Sequence, residues 1–300
     1  MKDRILMLWP NKKDYWPKQI EKRRIVDIDD AFYNHGLAYG AVRKIFASHG
    51  IFLDVFLGNW KKKIDSYDVI IVQASKITAY IPDFLRKKNF KGRVIYWYWD
   101  PVSRCVSPER MNREVCELWS FDYRDCQKYN MRFNDTYYVF DSASAEKCEI
   151  KWDIVFIGRD KGRLEQLNKL KEKFEKNDLR TLFYIVPTKP YSLNARRLKK
   201  VITYEEILEI VKKSRCLVDI NQSNQSGLSQ RCMESLYFNK KILSDNRNIC
   251  KYKLYHKKMI IPLSDMEKIK SFIMDEDEYD AWQLKYYTFE NWLDRFGLKK

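Results

Sequence analysis

No apolar run in this 300-residue chain approaches the ~20 residues that a helix needs to cross a bilayer. The longest runs, such as 69–72 and 94–99, have the length of strands. The first ten residues lack a long apolar core followed by a small-residue cleavage site, so no secretory signal is expected. The seven cysteines are odd in number and scattered, with no CxxC pair. Neither a disulfide framework nor a zinc site is expected, and a reducing cytoplasm suits the chain best. Histidine is scarce: only His35, His49 and His256. With no HExxH and no Ser/His/Asp or Cys/His arrangement, a hydrolase or metalloenzyme has little support. The phosphate loops GxxxxGK[ST] and GxGxxG are missing as well.

What is present points to a folded protein. Hydrophobic residues make up 45% of the chain and aromatics 15%, which argues against disorder. Three hundred residues exceed one small core and suggest two domains. The net charge of +16 attracts anions: nucleic acid, an anionic membrane face or phosphorylated substrates. The basic residues are dispersed and no nucleic-acid motif accompanies them, so nucleic acid is not expected as a partner.

Apolar runs at 4–9, 52–57, 69–72, 94–98, 118–121 and 136–139 read as strands, and 11–30 as a long polar loop. Residues 31–49 place Ala38, Ala41, Val42, Ile45 and Phe46 on one helical face, ended by Gly50. After a polar connector at 140–151 a second series begins. Its strands are expected at 153–157, 182–186, 200–202, 216–220, 241–244 and 259–261, and its helices at 164–174, 203–211 and 228–238. Thr203 with Glu206 forms a capping box. Two C-terminal helices follow, the last carrying Trp282, Tyr286, Phe289, Trp292 and Phe296. Alternating strand and helix predicts parallel sheets. The expected architecture is α/β: two Rossmann-like domains, 1–145 and 146–300, facing across a cleft, with aromatic helices at the C-terminus.

The chain is organised around residues 214–246, which read as strand, loop, helix, strand: a parallel βαβ unit. The loop after the first strand lies at the carboxyl edge of the sheet, where ligands bind. Ser226, Gly227 and Leu228 would offer backbone N–H groups at the start of the helix, suited to phosphate or carboxylate. Arg231 and Glu234, three apart, share a helical face, either as an exposed ion pair or as a polyanion and sugar-hydroxyl site. The turn Gly158-Arg159-Asp160-Lys161-Gly162-Arg163 follows a strand with three cations in six residues, which suits a diphosphate or is merely a charged βα turn. The run RVIYWYWDP at 93–101 ends in Asp100, which could orient a substrate hydroxyl or cap the turn before Pro101. Its last ring could stack on a sugar or base. His35 lies near the start of the first long helix, where it is either structural or catalytic.

Three segments, DIVFIGRDKGRLEQL (153–167), ITYEEILEIVKKSRCLVDI (202–220) and QSGLSQRCMESLYFNKKILSDN (225–246), resemble bacterial glycosyltransferases of the GT-B fold. Those enzymes build lipopolysaccharide, capsule or exopolysaccharide, and the segments match their C-terminal nucleotide-sugar domain. The resemblance implies that Gly158, Arg159, Lys161 and Arg163 hold the donor diphosphate, completed by Gly227, Leu228 and Arg231. It places Ile202 and Tyr204 against the base and Glu234 on the ribose hydroxyls. Retaining members often carry a second glutamate eight residues earlier, where this chain has Ser226. No metal and no cofactor beyond the nucleotide sugar is implied, since basic residues and a helix N-terminus stabilise the leaving diphosphate. The expected function is metal-independent sugar transfer in the cytoplasm, with His35 and Asp100 as candidate catalytic residues. The expected acceptor is a polyprenyl-diphosphate-linked glycan at the inner face of an anionic membrane. A non-catalytic glycan-assembly subunit of the same fold and, more remotely, a nucleic-acid-binding protein are the alternatives.

Overall fold

A computed structural model of the chain describes residues 3–33, 36–48, 51, 54–140, 148–188, 198–221 and 224–298. The chain forms two compact units, Met1–Val139 with Thr288–Lys300, and Phe140–Tyr287.

The first unit holds β1 (Ile5–Trp9), α1 (Tyr15–Glu21), β2 (Asp27–Asp30), α2 (Leu37–Ser48), β3 (Val69–Gln73), α3 (Ile81–Lys87), β4 (Arg93–Tyr98), β5 (Glu117–Ser120), α4 (Tyr123–Tyr129) and β6 (Arg132–Phe133). The strands form one parallel sheet in the order β2-β1-β3-β4-β5-β6. β1 and β3 are buried along their whole length, as central strands covered on both faces must be. Their continuous apolar sequence made them readable.

The expected loop at 11–30 instead contains α1 and β2. Ile28 is the only buried residue of β2, an edge strand reading Asp-Ile-Asp-Asp, so almost no apolar signal marks it. α2 starts at Leu37 rather than 31, because the Ala31 amide donates to the Trp9 carbonyl (2.7 Å) and prolongs the strand edge. Its expected inward face is also corrected. Val42 and Ile45 are 44% and 59% exposed, while Tyr39 and Phe46 pack on Phe56, with ring centroids at 5.2 and 6.1 Å. Two stripes compete on this helix, and the aromatic one meets the core. Residues 54–56 form a 3₁₀ turn, and the expected strand is reduced to a bridge between Leu57 and Phe32. Likewise 136–139 makes only a bridge from Tyr138 to Thr288.

The second unit holds β7 (Trp152–Arg159), α5 (Leu164–Glu175), β8 (Thr181–Val186), α6 (Tyr204–Lys212), β9 (Ser214–Asp219), α7 (Gln230–Tyr237), β10 (Lys241–Ser244), β11 (Ile260–Pro262), α8 (Ile269–Met274) and α9 (Ala281–Tyr286). Its sheet is again wholly parallel, in the order β11-β10-β9-β7-β8. The expected βαβ unit at 214–246 is β9-α7-β10. No strand forms at 200–202, where Lys199 donates to the Ile185 carbonyl (2.9 Å) in a single backbone bond beside β8. Leu167 and Phe174 of α5 and Ile269, Phe272 and Ile273 of α8 enclose a core with Ile154, Cys216 and Leu243 of the sheet. Strand order reverses between β7 and β9, so the loops after these two strands flank the crevice where such sheets bind ligands.

The last aromatic helix is two helices. α9 stops at Tyr286, and Thr288 caps α10 (Phe289–Asp294) by accepting from the Asn291 amide at 3.3 Å. α10 belongs to the first unit, where Phe289, Trp292, Leu293 and Phe296 are buried with Trp97, Trp119 and Tyr137. The division at 145/146 is corrected accordingly. The second unit begins at Phe140, and the C-terminal residues from Thr288 return to the first.

Candidate functional site

α7 is set by its cap. Ser229 accepts from the Arg231 amide (3.1 Å), and its hydroxyl donates to Oδ1 of Asp219 (2.6 Å) at the end of β9. Oδ2 of Asp219 accepts from the Ser244 hydroxyl (2.9 Å) at the end of β10. One buried carboxylate thus ties the ends of two strands to the start of the helix. Burial raises its pKa, opposed by the two serine hydrogen bonds. The helix starts later than expected, so Ser226, Gly227 and Leu228 lie in the buried loop before the cap. That loop is held by side-chain amides: Asn246 donates to the Ser226 carbonyl (2.9 Å), and Asn221 and Gln225 donate to that of Gly227 (3.3 and 3.2 Å).

Glu234 and Arg231 are not an exposed surface pair. Glu234 is 0% exposed and the Arg231 side chain 14%. Oε1 of Glu234 accepts from the Tyr204 hydroxyl (2.5 Å), and Oε2 forms an ion pair with the Arg231 guanidinium that lacks hydrogen-bond geometry. Burial raises the Glu234 pKa; Arg231 and the Tyr204 hydrogen bond pull it back, and Asp219 adds to the rise. Tyr204 is the first residue of α6, behind the Thr203–Glu206 capping box that the sequence showed. Its ring lies parallel to that of Phe140, 6.3 Å away. Ile202 is half-buried two residues earlier.

The turn after β7 is tight. Lys161 and Gly162 have φ of +44° and +76°, and Asp160 accepts from the amide and hydroxyl of Thr188 (2.6 and 2.5 Å). These hydrogen bonds, led by the Thr188 hydroxyl, lower the Asp160 pKa. The Lys161 amide donates to the Thr188 hydroxyl oxygen at 2.7 Å. The two arginines of this turn do not converge. Arg159 donates to the carbonyls of Pro187 and Thr188 past β8 (both 3.2 Å), whereas Arg163 donates to those of Ile220 and Asn221 past β9 (3.1 and 3.2 Å). β8 and β9 flank β7 on opposite sides, so Arg159 turns to the β8 side and Arg163 to the β9 side, where α7 begins. Gly158 lies inside β7 opposite Ile185.

A cavity of about 1390 Å³ opens beside this crevice, between the start of α5 and the residues following β10 and β11. Among the candidate residues only Arg163 lines it, with Gly162, Asp245, Asn246 and Arg247 close by. Sequence reasoning missed Asp219, Asn246 and Ser244. Asp219 ends an apolar run and would have been the visible signal.

In the first unit, Asp100 is exposed past the end of β4. The turn that follows is not capped by it: the Val102 amide donates to Asp125 (2.8 Å). Trp99, the ring nearest the strand edge, packs against Trp9, Trp16 and Tyr137 at 5.2–6.0 Å. His35 lies outside the described residues.

No family model matches the sequence, and no curated protein does. Solved structures match along almost the whole chain. An α,α-trehalose-phosphate synthase (UDP-forming) from Burkholderia vietnamiensis aligns with a TM-score of 0.55 at 10% identity, covering 96% of this chain and 82% of that one. A sucrose-phosphate synthase from Thermosynechococcus elongatus gives 0.55 at 10% identity, covering 99% and 98%. A lipopolysaccharide outer core galactosyltransferase gives 0.51 at 11% identity, covering 97% and 88%. The chain has the GT-B fold. At these identities the likeness is one of fold, and it agrees with the architecture implied by the sequence segments at 153–167, 202–220 and 225–246. In the GT-B frame, the crevice at the reversal of strand order in the C-terminal unit is flanked by the loop after β7, which carries Arg163, and the loop after β9, which leads into the helix of Arg231 and Glu234.

Proposed function

We propose that the chain is a glycosyltransferase that moves a sugar from a nucleotide diphosphate donor to a glycan acceptor, with the donor held by the Phe140–Tyr287 unit. The observation that supports this most is the fully buried Glu234 beside Arg231, at the strand-order reversal of a GT-B sheet. A buried carboxylate suits vicinal sugar hydroxyls, and a neighbouring guanidinium suits phosphate. In this reading Glu234 takes the ribose, with Ile202 and Tyr204 against the base. Arg231 and Arg163 face the diphosphate from the two flanking loops, and the backbone at Gly227 and Leu228 completes that end. Gly158, Arg159 and Lys161 shape the turn beneath it.

In transfer, an acceptor hydroxyl forms a bond to the anomeric carbon as the bond to the diphosphate oxygen breaks, and the hydroxyl proton passes to a base, for which we propose Asp100 or His35. The negative charge that develops on the departing diphosphate is offset by the cations without a metal. The Met1–Val139 unit takes the acceptor, for which we propose a polyprenyl-diphosphate-linked glycan at an anionic membrane face. No helix among the described residues is long and apolar enough to cross a membrane, so membrane contact in this proposal is peripheral and rests on the +16 charge. Ser226, standing where retaining enzymes often have glutamate, favours as second reading a nucleotide-binding assembly subunit that transfers nothing.

Thermal stabilisation by UDP, GDP, CDP, dTDP and ADP tests the donor site. A diphosphate at a hundred times its dissociation constant adds about 2.7 kcal/mol to the folded state. One of the five is expected to raise the Tm of the wild type and to leave Glu234→Ala unmoved. Failure of all five on folded protein would remove the donor assignment. Sugar release from the matching nucleotide sugar then separates the enzyme from the silent subunit.

A further inference from the structure

The Glu234 carboxylate is closed off in the chain as it stands. It is 0% exposed, Oε1 is engaged by the Tyr204 hydroxyl at 2.5 Å, and Oε2 lies against Arg231. A pair of ribose hydroxyls has to donate to the same oxygens, so it cannot reach them while the phenol stays in place. The geometry offers a way out. Tyr204 is the first residue of α6, and its backbone is fixed by the capping box, with the Thr203 amide donating to Glu206 (2.7 Å) and the Glu206 amide to Thr203 (3.2 Å). Its side chain is half-buried, and its ring faces Phe140 at an interplanar angle of 5°. Phe140 in turn meets Tyr237 and Phe238 at 5.1 and 5.5 Å. Rotation of the Tyr204 side chain along this aromatic surface would open Glu234 without disturbing the helix.

We propose that the Tyr204 hydroxyl is a stand-in for the ribose diol. It satisfies Glu234 when no nucleotide is bound, and it must be displaced for the nucleoside to engage that carboxylate. The proposal rests on the donor-site reading given above and gives Tyr204, already set beside the nucleoside there, a further part: it sets nucleotide affinity by competition. The stand-in has a physical reason, because a buried carboxylate left without donors costs far more than one satisfied internally. Oε2 keeps the Arg231 guanidinium beside it, and the diol offers the carboxylate two hydroxyl donors where the phenol offers one. Ribose recognition then exchanges one hydrogen bond for two.

Tyr204→Phe keeps the ring and removes the competing hydroxyl. Calorimetric titration of the full chain with UDP, GDP, CDP and ADP, and with their 2′,3′-dideoxy forms, reads the effect. For the ribonucleotide that binds, Tyr204→Phe is expected to tighten binding on the order of tenfold, the scale of one hydrogen bond to a charged group. The dideoxy form, which has no diol to present, is expected to bind wild type and variant alike. The opposite pattern, in which Tyr204→Phe weakens or leaves unchanged the ribonucleotide, would overturn the stand-in while the donor site survives. An equal gain for both forms would also overturn it, since the effect would then owe nothing to the diol. Absence of binding to wild type and variant alike would overturn the donor site and the stand-in together.

Discussion

At the scale of single residues, this chain keeps its ionisable groups in two opposite kinds of setting. Asp153 accepts three hydrogen bonds from Arg180: from the amide at 2.9 Å and from the guanidinium at 3.1 and 2.9 Å. Arg215 stands 3.6 Å away. Its pKa is lowered, chiefly by the Arg180 side chain. A carboxylate with a folded pKa below its unfolded one stabilises the fold above the unfolded value and loses that contribution as pH falls through the folded value. Asp153→Asn is therefore expected to lower stability by about 2 kcal/mol at neutral pH. The deficit should shrink in acid below pH ~4, which urea unfolding across pH would read; a deficit independent of pH would refute the ion pair as its source. Glu234 is the contrasting case, its pKa raised by burial. The spacing of Arg231 and Glu234 was visible in the sequence, but their burial was not. An i,i+3 pair on an exposed helix and one at the buried end of a βαβ unit have the same letters.

Among the elements, the ones recovered from sequence are those whose own pattern determines them. β1, β3, β7 and β9 are near-continuous apolar runs, and α6 carries its capping box in plain sight. The elements missed are those whose identity comes from a neighbour. β2 is a strand because β1 offers it an edge, and α2, expected as a helix with Phe46 inward, also turns Tyr39 inward in place of Val42 and Ile45 because Phe56 is there to receive it. α10 is the strongest example, with Trp292 fully buried against Trp97 and Tyr137 at 5.3 and 4.4 Å. Its carbonyl accepts from Asn134 (3.1 Å), and the same asparagine accepts from Arg295 (2.6 Å). Trp292→Ala is expected to cost about 3–5 kcal/mol in unfolding free energy. A loss below ~1 kcal/mol, the range of surface substitutions, would mean that α10 is not part of the core.

For the molecule as a whole, the return of the C-terminus to the first unit makes that unit discontinuous in sequence, whereas the second is one uninterrupted segment. A fragment spanning 140–287 is therefore expected to fold by itself, with cooperative unfolding and native near-UV dichroism. A fragment spanning 1–139 lacks the cover of Phe289, Trp292 and Phe296 over Trp97, Trp119 and Tyr137 and is expected to stay partly unfolded until 288–300 is supplied. Cooperative folding of 1–139 alone would show that α10 only decorates the unit.

The sequence by itself determined that this chain would be α/β and built from parallel sheets, and it singled out the loop after β9 as the candidate site. Those properties are local: apolar run length, helical period, capping residues and the glycine of a turn are each carried by a few adjacent residues. Only the tertiary structure decided that Arg159 and Arg163 diverge, that α10 crosses back to the first unit, and that Tyr204 reaches Glu234 across thirty positions. Each of these depends on which strands lie side by side. Strand order is a property of the whole sheet, fixed by how its buried faces are shared among distant segments.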